Sequence, residues 1–242
     1  MYNNRPIIIE AAMECERNII LSALADPHEI SLYGYPAVEG LLDGFPLIVA
    51  RNCTGMVNAA ILTTLLIEKY HPRCVISEGT AGSHVEELHP GDMVLGERVR
   101  NLGSLYMDEA LCREIRELTC GEWDDMRCMH SDGELLKLAQ SVPYSGGQVV
   151  RGLIGTGDFW SRGRERIDML HERYESCCEE MESFGVASAC SRMGVPFLAL
   201  RVISNNELTG EAFCETAAED CQRYTVNVAK RIFAADRENI HE

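Results

Sequence analysis

Cys178-Glu179-Glu180-Met181-Glu182-Ser183, then Ala187 to Cys190, then Val195-Pro196-Phe197-Leu198-Ala199-Leu200-Arg201-Val202-Ile203-Ser204-Asn205-Asn206, is the stretch that decides the fold. It reads as an acidic turn opening a helix of small residues, a second turn, and a strand that ends in a polar cluster. Phe197 to Ile203 is apolar except for Arg201, the pattern of a strand covered on both faces. Acids are rarely buried without partners, so three carboxylates packed around Met181 ahead of an apolar helix point to a use for them. Alternating strand–helix folds place ligands beyond the carboxyl ends of their strands. The acidic helix start and the polar strand end, one βαβ arm apart, are therefore expected to meet over one pocket.

Upstream of this arm the same alternation recurs. Ile7-Ile8-Ile9 reads as a first buried strand, followed by Glu10 to Glu16 and a helix through about Ala25. Glu14 and Glu16 then fall near the first helical turn, where the dipole favours negative charge. Gly34 to Gly44 is turn-rich and joins short antiparallel strands. Pro46 to Ala50 is another apolar run, and Asn52 to Asn58 leads into a helix from Ala59 to about Lys69. Cys74 to Ser77 reads as a strand, with Glu78-Gly79-Thr80-Ala81-Gly82-Ser83 as a glycine-bearing turn at its end. Pro90-Gly91-Asp92 feeds a strand, Met93 to Leu95. Helices are expected at Leu111 to Leu118 and Leu135 to Ser141. Val149 to Ile154 is a strand that ends in Gly155-Thr156-Gly157-Asp158-Phe159-Trp160, whose adjacent aromatics suit either core filling or a stacking plate for a flat ring. Arg162 to Glu175 reads as a solvated helix or loop. From Thr209 onward, Phe213, Ala217, Ala218, Cys221, Tyr224, Val228 and Ile232 follow the spacing of a long amphipathic helix. Strands alternating with helices predict an α/β fold, a three-layer α/β/α sandwich with a mixed central sheet.

Composition narrows the function. The 242 residues hold no linker, repeat or low-complexity tract, which predicts a single domain over 1–242. A net charge of −16 argues against nucleic acid and against an anionic membrane surface as partners. No apolar run reaches the ~20 residues of a membrane-spanning helix. The N-terminus lacks the basic region, apolar region and cleavage site of a signal peptide. The eleven cysteines include no Cys-x-x-Cys pair, and several sit in apolar patterns. That suits small buried thiols in a reducing cytoplasm better than a disulfide framework or a zinc site.

Four segments, in order, carry a family resemblance: Ala12-Met13-Glu14-Cys15-Glu16; Glu78-Gly79-Thr80-Ala81-Gly82 with Gly91-Asp92; Thr156-Gly157-Asp158-Phe159-Trp160; and Glu180-Met181-Glu182 through Val195-Pro196-Phe197 to Ile203-Ser204-Asn205. Together they resemble the nucleoside phosphorylase/nucleosidase superfamily, most closely the 5′-methylthioadenosine/S-adenosylhomocysteine nucleosidases. The resemblance implies a phosphorylase/hydrolase-like fold and a purine nucleoside as substrate, with no cofactor and no metal. It implies that Glu16 orients and deprotonates the attacking water, and that Glu182, within Glu180-Met181-Glu182, holds the ribose hydroxyls with Met181 on the sugar face. Thr80 takes the place of a small hydroxyl residue beside the sugar, and Trp160 that of an aromatic stacked on the purine. It further implies a homodimer, with the loop Arg98 to Asp108 closing a neighbour's sugar pocket.

Charge separates the two chemistries of this superfamily. Breaking an N-glycosidic bond leaves positive charge on the ribose and negative charge on the base, so carboxylates belong at the sugar and a donor at N7. A phosphorylase needs cations around a dianionic phosphate. Here Glu10 to Glu16 and Ser77-Glu78 occupy the places where such enzymes carry arginines, and Arg51 is the nearby cation that favours phosphate. The expectation is a hydrolase. Asn205 departs from the nucleosidase pattern, which has an aspartate there. An amide donates a hydrogen bond but has no proton to give up. An asparagine at this point resembles the trimeric phosphorylases acting on 6-oxopurines, and Glu207 is the candidate to supply the missing acid. A nucleoside-binding or storage role without turnover is the remaining alternative, against which the presence of both Glu16 and Glu182 speaks.

Overall fold

The computed structural model describes residues 5–104 and 128–240. Its centre is a mixed sheet in which β5 (Cys74–Ser83) is the hub. On one side β5 pairs in parallel with β1 (Ile7–Ala11), which pairs in parallel with β4 (Phe45–Arg51). From β4 the chain's β3 (Tyr35–Leu42) and β2 (Ala25–Leu32) continue as an antiparallel meander. On the other side β5 pairs in parallel with β10 (Phe197–Asn205), which meets β6 (Met93–Asn101) antiparallel. β6 in turn carries β8 (Val149–Thr156), and β8 carries β9 (Ser176–Glu180). β9 returns to β5 at Gly82 and Ser83 and closes a ring of strands. A short strand, β7 (Cys128–His130), flanks β6.

Helices cover both faces. One core gathers Ile7, Ile9, Leu198, Leu200 and Val202 beneath the helices Gly133–Gln140 and Ala217–Ile240. The other gathers Ile8, Val75, Ala199 and Ile203 beneath Met56–Tyr70 and Ser183–Met193. Every residue of β10 is buried, as a strand with helices on both faces requires. Among the described residues no helix is long and apolar enough to cross a membrane.

Several elements differ from the sequence expectation. The helix expected to run through about Ala25, with Glu14 and Glu16 near its first turn, is a 3-10 turn, Glu14–Glu16, and a short helix, Asn18–Ser22. Pro27 cannot extend a helix, and from Ala25 the chain pairs with β3 instead. The two-residue turns Tyr33-Gly34 and Asp43-Gly44 have positive φ at both positions, the geometry that matches the twist of paired strands. Glu78 to Ser83 is not a turn but the second half of β5, hydrogen-bonded to neighbours on both sides. Cys178 to Glu180 is likewise strand β9, and the turn falls at Met181-Glu182. Phe213 lies ahead of the C-terminal helix rather than on it. The helix expected at 111–118 and most of the loop 98–108 lie outside the described residues, while Arg98 to Asn101 belong to β6.

Candidate active site

The carboxyl ends of β1, β5, β9 and β10 surround a cavity of about 390 Å³, in the range of small-molecule sites. Its floor is β5. Gly79 has φ +153, and a Cβ there would stand 3.0 Å from Glu16 Oε1. The missing side chain lets the Glu16 carboxylate settle against the strand, where its Oε1 accepts from Thr80 N at 3.1 Å and Thr80 Oγ1 at 3.2 Å. Oε2 accepts from the Met13 main chain at 3.0 Å, which folds the 3-10 turn back on itself. Glu16 is thereby buried and fixed at the cavity wall. Glu78, next to it on β5, is buried with both oxygens unpartnered. Burial, and then the charge of Glu16, push the Glu78 carboxyl well above its ordinary value.

A second set of acids sits where β9 runs into the helix Ser183–Met193. Glu180 borders the cavity, but its carboxylate is occupied by protein groups. It accepts from Arg201 Nη2 at 2.5 Å, from Glu182 N at 3.0 Å and Ser183 N at 2.9 Å, and from the Thr156 hydroxyl. Glu180, grouped from the sequence with Met181 and Glu182 at the substrate, thus lines the cavity while its carboxylate is held by these protein groups. It caps the helix and holds a buried guanidinium, and so aims Glu182. Arg201, 1% exposed, was legible in sequence only as an interruption of an apolar strand. Glu182 reaches across to the loop before Met56–Tyr70, where its Oε1 accepts from Gly55 N at 2.9 Å. Burial, and next the charge of Glu180, raise the Glu182 carboxyl to about 8.

At the far end, Asn205 is buried against Gly82, with Ser204 Oγ donating to its Oδ1 at 3.0 Å. Glu179 lines the same end, a residue the sequence reasoning did not single out. Its carboxylate accepts from Ser161 N and from Ser161 Oγ, the latter at 2.7 Å, and stands 3.4 Å from His84 Nε2. Burial works to raise Glu179, but His84 and Ser161 outweigh it and hold the carboxyl below its ordinary value. Phe159 and Trp160 close the side, with Trp160 54% exposed at the rim and the Arg162 guanidinium 5.6 Å from its ring.

The structure thus brings Glu16, Thr80, Trp160, Glu180, Met181, Glu182 and Asn205 to one cavity, joined by Met13, Thr54, Glu179 and Phe213. Phe213 gave no separate signal because its spacing also fits the following helix. Glu207 does not join them. It is exposed on the turn beyond β10 and is not among the residues that line the cavity. Among the described residues no group of three or more His, Cys, Asp or Glu side chains is arranged to hold a metal ion.

Comparison with known proteins identifies the family and the fold. The sequence model of the Phosphorylase superfamily matches residues 6–234. The chain is 34% identical over 201 residues to the 5′-methylthioadenosine/S-adenosylhomocysteine nucleosidase of Shewanella halifaxensis, covering 82% of this chain and 85% of that protein. It is similar in structure to the Neisseria meningitidis enzyme of the same name, solved with methylthio-immucillin-A, at a TM-score of 0.78 and 24% identity over 93% of this chain and 99% of that one. It is similar also to futalosine hydrolase of Helicobacter pylori, at a TM-score of 0.77 and 24% identity over 93% and 97% of the two chains. These two likenesses speak to the fold.

Proposed function

Because the chain belongs to the Phosphorylase superfamily, we propose that it is a hydrolase of N-glycosyl bonds, cleaving the N-ribosyl bond of a purine nucleoside with water as the nucleophile. Glu16 takes a proton from water as the oxygen attacks C1′. The bond to N9 breaks with its electrons going to the base, where the Asn205 amide donates to the developing negative charge. Glu182 accepts from the ribose hydroxyls and places negative charge beside the oxocarbenium-like sugar, with Met181 against its face. Half-exposed Met13 and Phe213 at the cavity suit an apolar 5′ substituent, as in the methylthioadenosine and S-adenosylhomocysteine class.

The observation that carries water over phosphate is the engagement of the nearby arginines. Arg17 pairs with Glu14 at 2.7 Å, Arg51 approaches Glu14 at 3.7 Å, and Arg201 is bound by Glu180. The residues lining the cavity include the acids Glu16 and Glu182 and, among the described residues, no lysine or arginine that could hold a dianion. Incubation with nucleosides in phosphate-free buffer is expected to release free base and free sugar. Strict dependence on phosphate, with sugar 1-phosphate as product, overturns the choice. No product from any nucleoside favours a binding or storage role. The same reading has the protein acting in the cytoplasm as a homodimer. Exposed Val57 and Ile61 on the helix Met56–Tyr70 offer an apolar face for a second copy, which sizing by light scattering tests.

A further inference from the structure

Asp158 has no part in the reaction as proposed and is not among the residues lining the cavity. Its side chain nevertheless reaches the start of the helix Met56–Tyr70, where Oδ1 accepts from Met56 N at 3.1 Å. The residue before that helix is Gly55, which has no side chain to cap it. The first N–H groups of a helix lack partners within it and sit at the positive end of its dipole. Two acids from other elements fill this place, Asp158 on Met56 N and Glu182 Oε1 on Gly55 N at 2.9 Å. Gly55 is in the left-handed region at φ +102, and a Cβ on it would stand 3.1 Å from Asp158 Oδ1, so this approach needs a glycine.

These contacts close a ring through three segments. Gly55 N donates to Glu182, Met56 N donates to Asp158, and Gly157 N donates to Glu180 O at 2.9 Å, two residues before Glu182. Each segment brings side chains to the cavity: Thr54 from the first, Phe159 and Trp160 from the second, Met181 and Glu182 from the third. Gly55 lies between the two N–H groups and is the residue type most free to pivot. Anchoring Met56 N limits that freedom. Burial raises the Glu182 carboxyl and Glu180 adds to it; Arg201 and then the Gly55 N–H oppose them, and Glu16 adds again.

We propose that Asp158 is a positioning residue for Glu182: by capping the helix Met56–Tyr70 from another loop, it keeps the Gly55 N–H aimed at the carboxylate that grips the sugar. This inference rests on the reading of Glu182 as the sugar grip and concerns what holds that carboxylate ready. Asp158 acts here as an acceptor rather than as a charge. Asp158→Asn keeps an oxygen for Met56 N and is expected to behave as wild type. Asp158→Ala leaves Met56 N without that acceptor, lets Gly55 pivot, and takes a donor away from Glu182. A carboxylate that loses a main-chain donor holds its proton to higher pH.

The test compares kcat/KM against pH for wild type, Asp158→Asn and Asp158→Ala on 5′-methylthioadenosine and 5′-methylthioinosine. Loss of one charge-assisted hydrogen bond, partly replaced by water, moves the rising limb of Asp158→Ala upward by about one pH unit. Its rate then falls about tenfold at pH 7 and returns to within about threefold of wild type near pH 9.5. A merely structural support lowers the rate equally at every pH, and a direct effect of the Asp158 charge moves the limb downward in both variants. Either result overturns the proposal. Titration of the Glu182 carboxyl by ¹³C NMR in the free protein, its signal identified by its loss in Glu182→Gln, gives an answer without turnover. If the wild type cleaves neither nucleoside, the hydrolase reading fails. An upward displacement in Asp158→Ala alone still supports the positioning role, and equal titration in all three proteins overturns it. Asp158 is exposed, so Asp158→Ala is expected to keep the fold. If it does not, amide hydrogen exchange in wild type and Asp158→Asn decides: protection of Gly55 and Met56 N–H in both supports the role, and free exchange of either overturns it.

Discussion

Glu182 is the side chain whose charge state ties the geometry to a measurable rate. It is buried beside Glu180, bonded to Gly55 N, and its carboxyl is raised to about 8. In the free protein at pH 6 only roughly 1% of it is ionised, a fraction that rises about tenfold per pH unit toward pH 8. A charged carboxylate is the form that grips two hydroxyls and stabilises positive charge on the sugar. The profile of kcat/KM is therefore predicted to climb with a slope near one between pH 6 and 7.5 and to level off above about pH 8. Glu182→Gln keeps the shape and the Gly55 bond but removes the charge. Two charge-assisted hydrogen bonds, at about 1.5–3 kcal/mol each and partly retained by the amide, put the loss at roughly 10²- to 10³-fold at pH 9. The variant's rising limb should vanish, because the group that titrates is gone. Initial rates under kcat/KM conditions across pH 5.5–9.5, for both proteins, give the answer. A wild-type profile that is flat below pH 8, or a variant that keeps the same slope, refutes the assignment of Glu182 as the sugar grip.

Three other perturbations follow from single contacts. The nearest atoms to a Cβ added in Gly82→Ala belong to the Asn205 amide, at 3.4 Å or more, an ordinary van der Waals contact, so the fold should keep its melting temperature. The methyl nonetheless narrows the cavity beside Asn205 and is expected to cost at least about 100-fold in kcat/KM; an active variant removes the base from this side of the cavity. Glu10 is fully buried and raised by burial from 4.5 to about 7. Because the unfolded chain ionises first, the folded state holds the extra proton between these values, and stability falls as pH rises through that window by about 3 kcal/mol. Urea melts of Glu10→Gln at pH 5 and pH 8 should show that much less pH dependence than wild type, and equal dependence contradicts the assignment. Asn205→Asp supplies a carboxyl able to protonate N7, and should raise turnover of adenine nucleosides; unchanged or lost activity counts against Asn205 as the base contact.

Much of the architecture could be read from local pattern, and the exceptions share a cause. The apolar run of β10 and the small-residue helix after Glu182 are local signals, and each has its counterpart in the structure, whereas Gly34 to Gly44, read as turn-rich, turns only at its ends and is strand from Tyr35 to Leu42. Gly79 and Gly82 carried a real signal with two meanings. Glycine permits a turn, but here it permits close approach of Glu16 and Asn205 to an unbroken strand. The acids of Cys178 to Glu180 look like a turn until their partners are known. Arg201, Thr156, Ser161 and His84 all come from other elements, and they are what allow Glu179 and Glu180 to sit in a buried strand. Glu179 in particular cannot be told from Glu180 along the chain, since only the sheet register shows which of them faces Gly82.

The central claim is that water, activated by Glu16, attacks the sugar. Reaction of a purine nucleoside in phosphate-free buffer made with ¹⁸O-labelled water tests it directly, by mass spectrometry of the released sugar under conditions that freeze exchange at C1. The account predicts one ¹⁸O at C1 from the first turnover, a rate unaffected by added phosphate, and near-complete loss of product in Glu16→Gln. Sugar 1-phosphate formed only when phosphate is present, or full activity in Glu16→Gln, would contradict it.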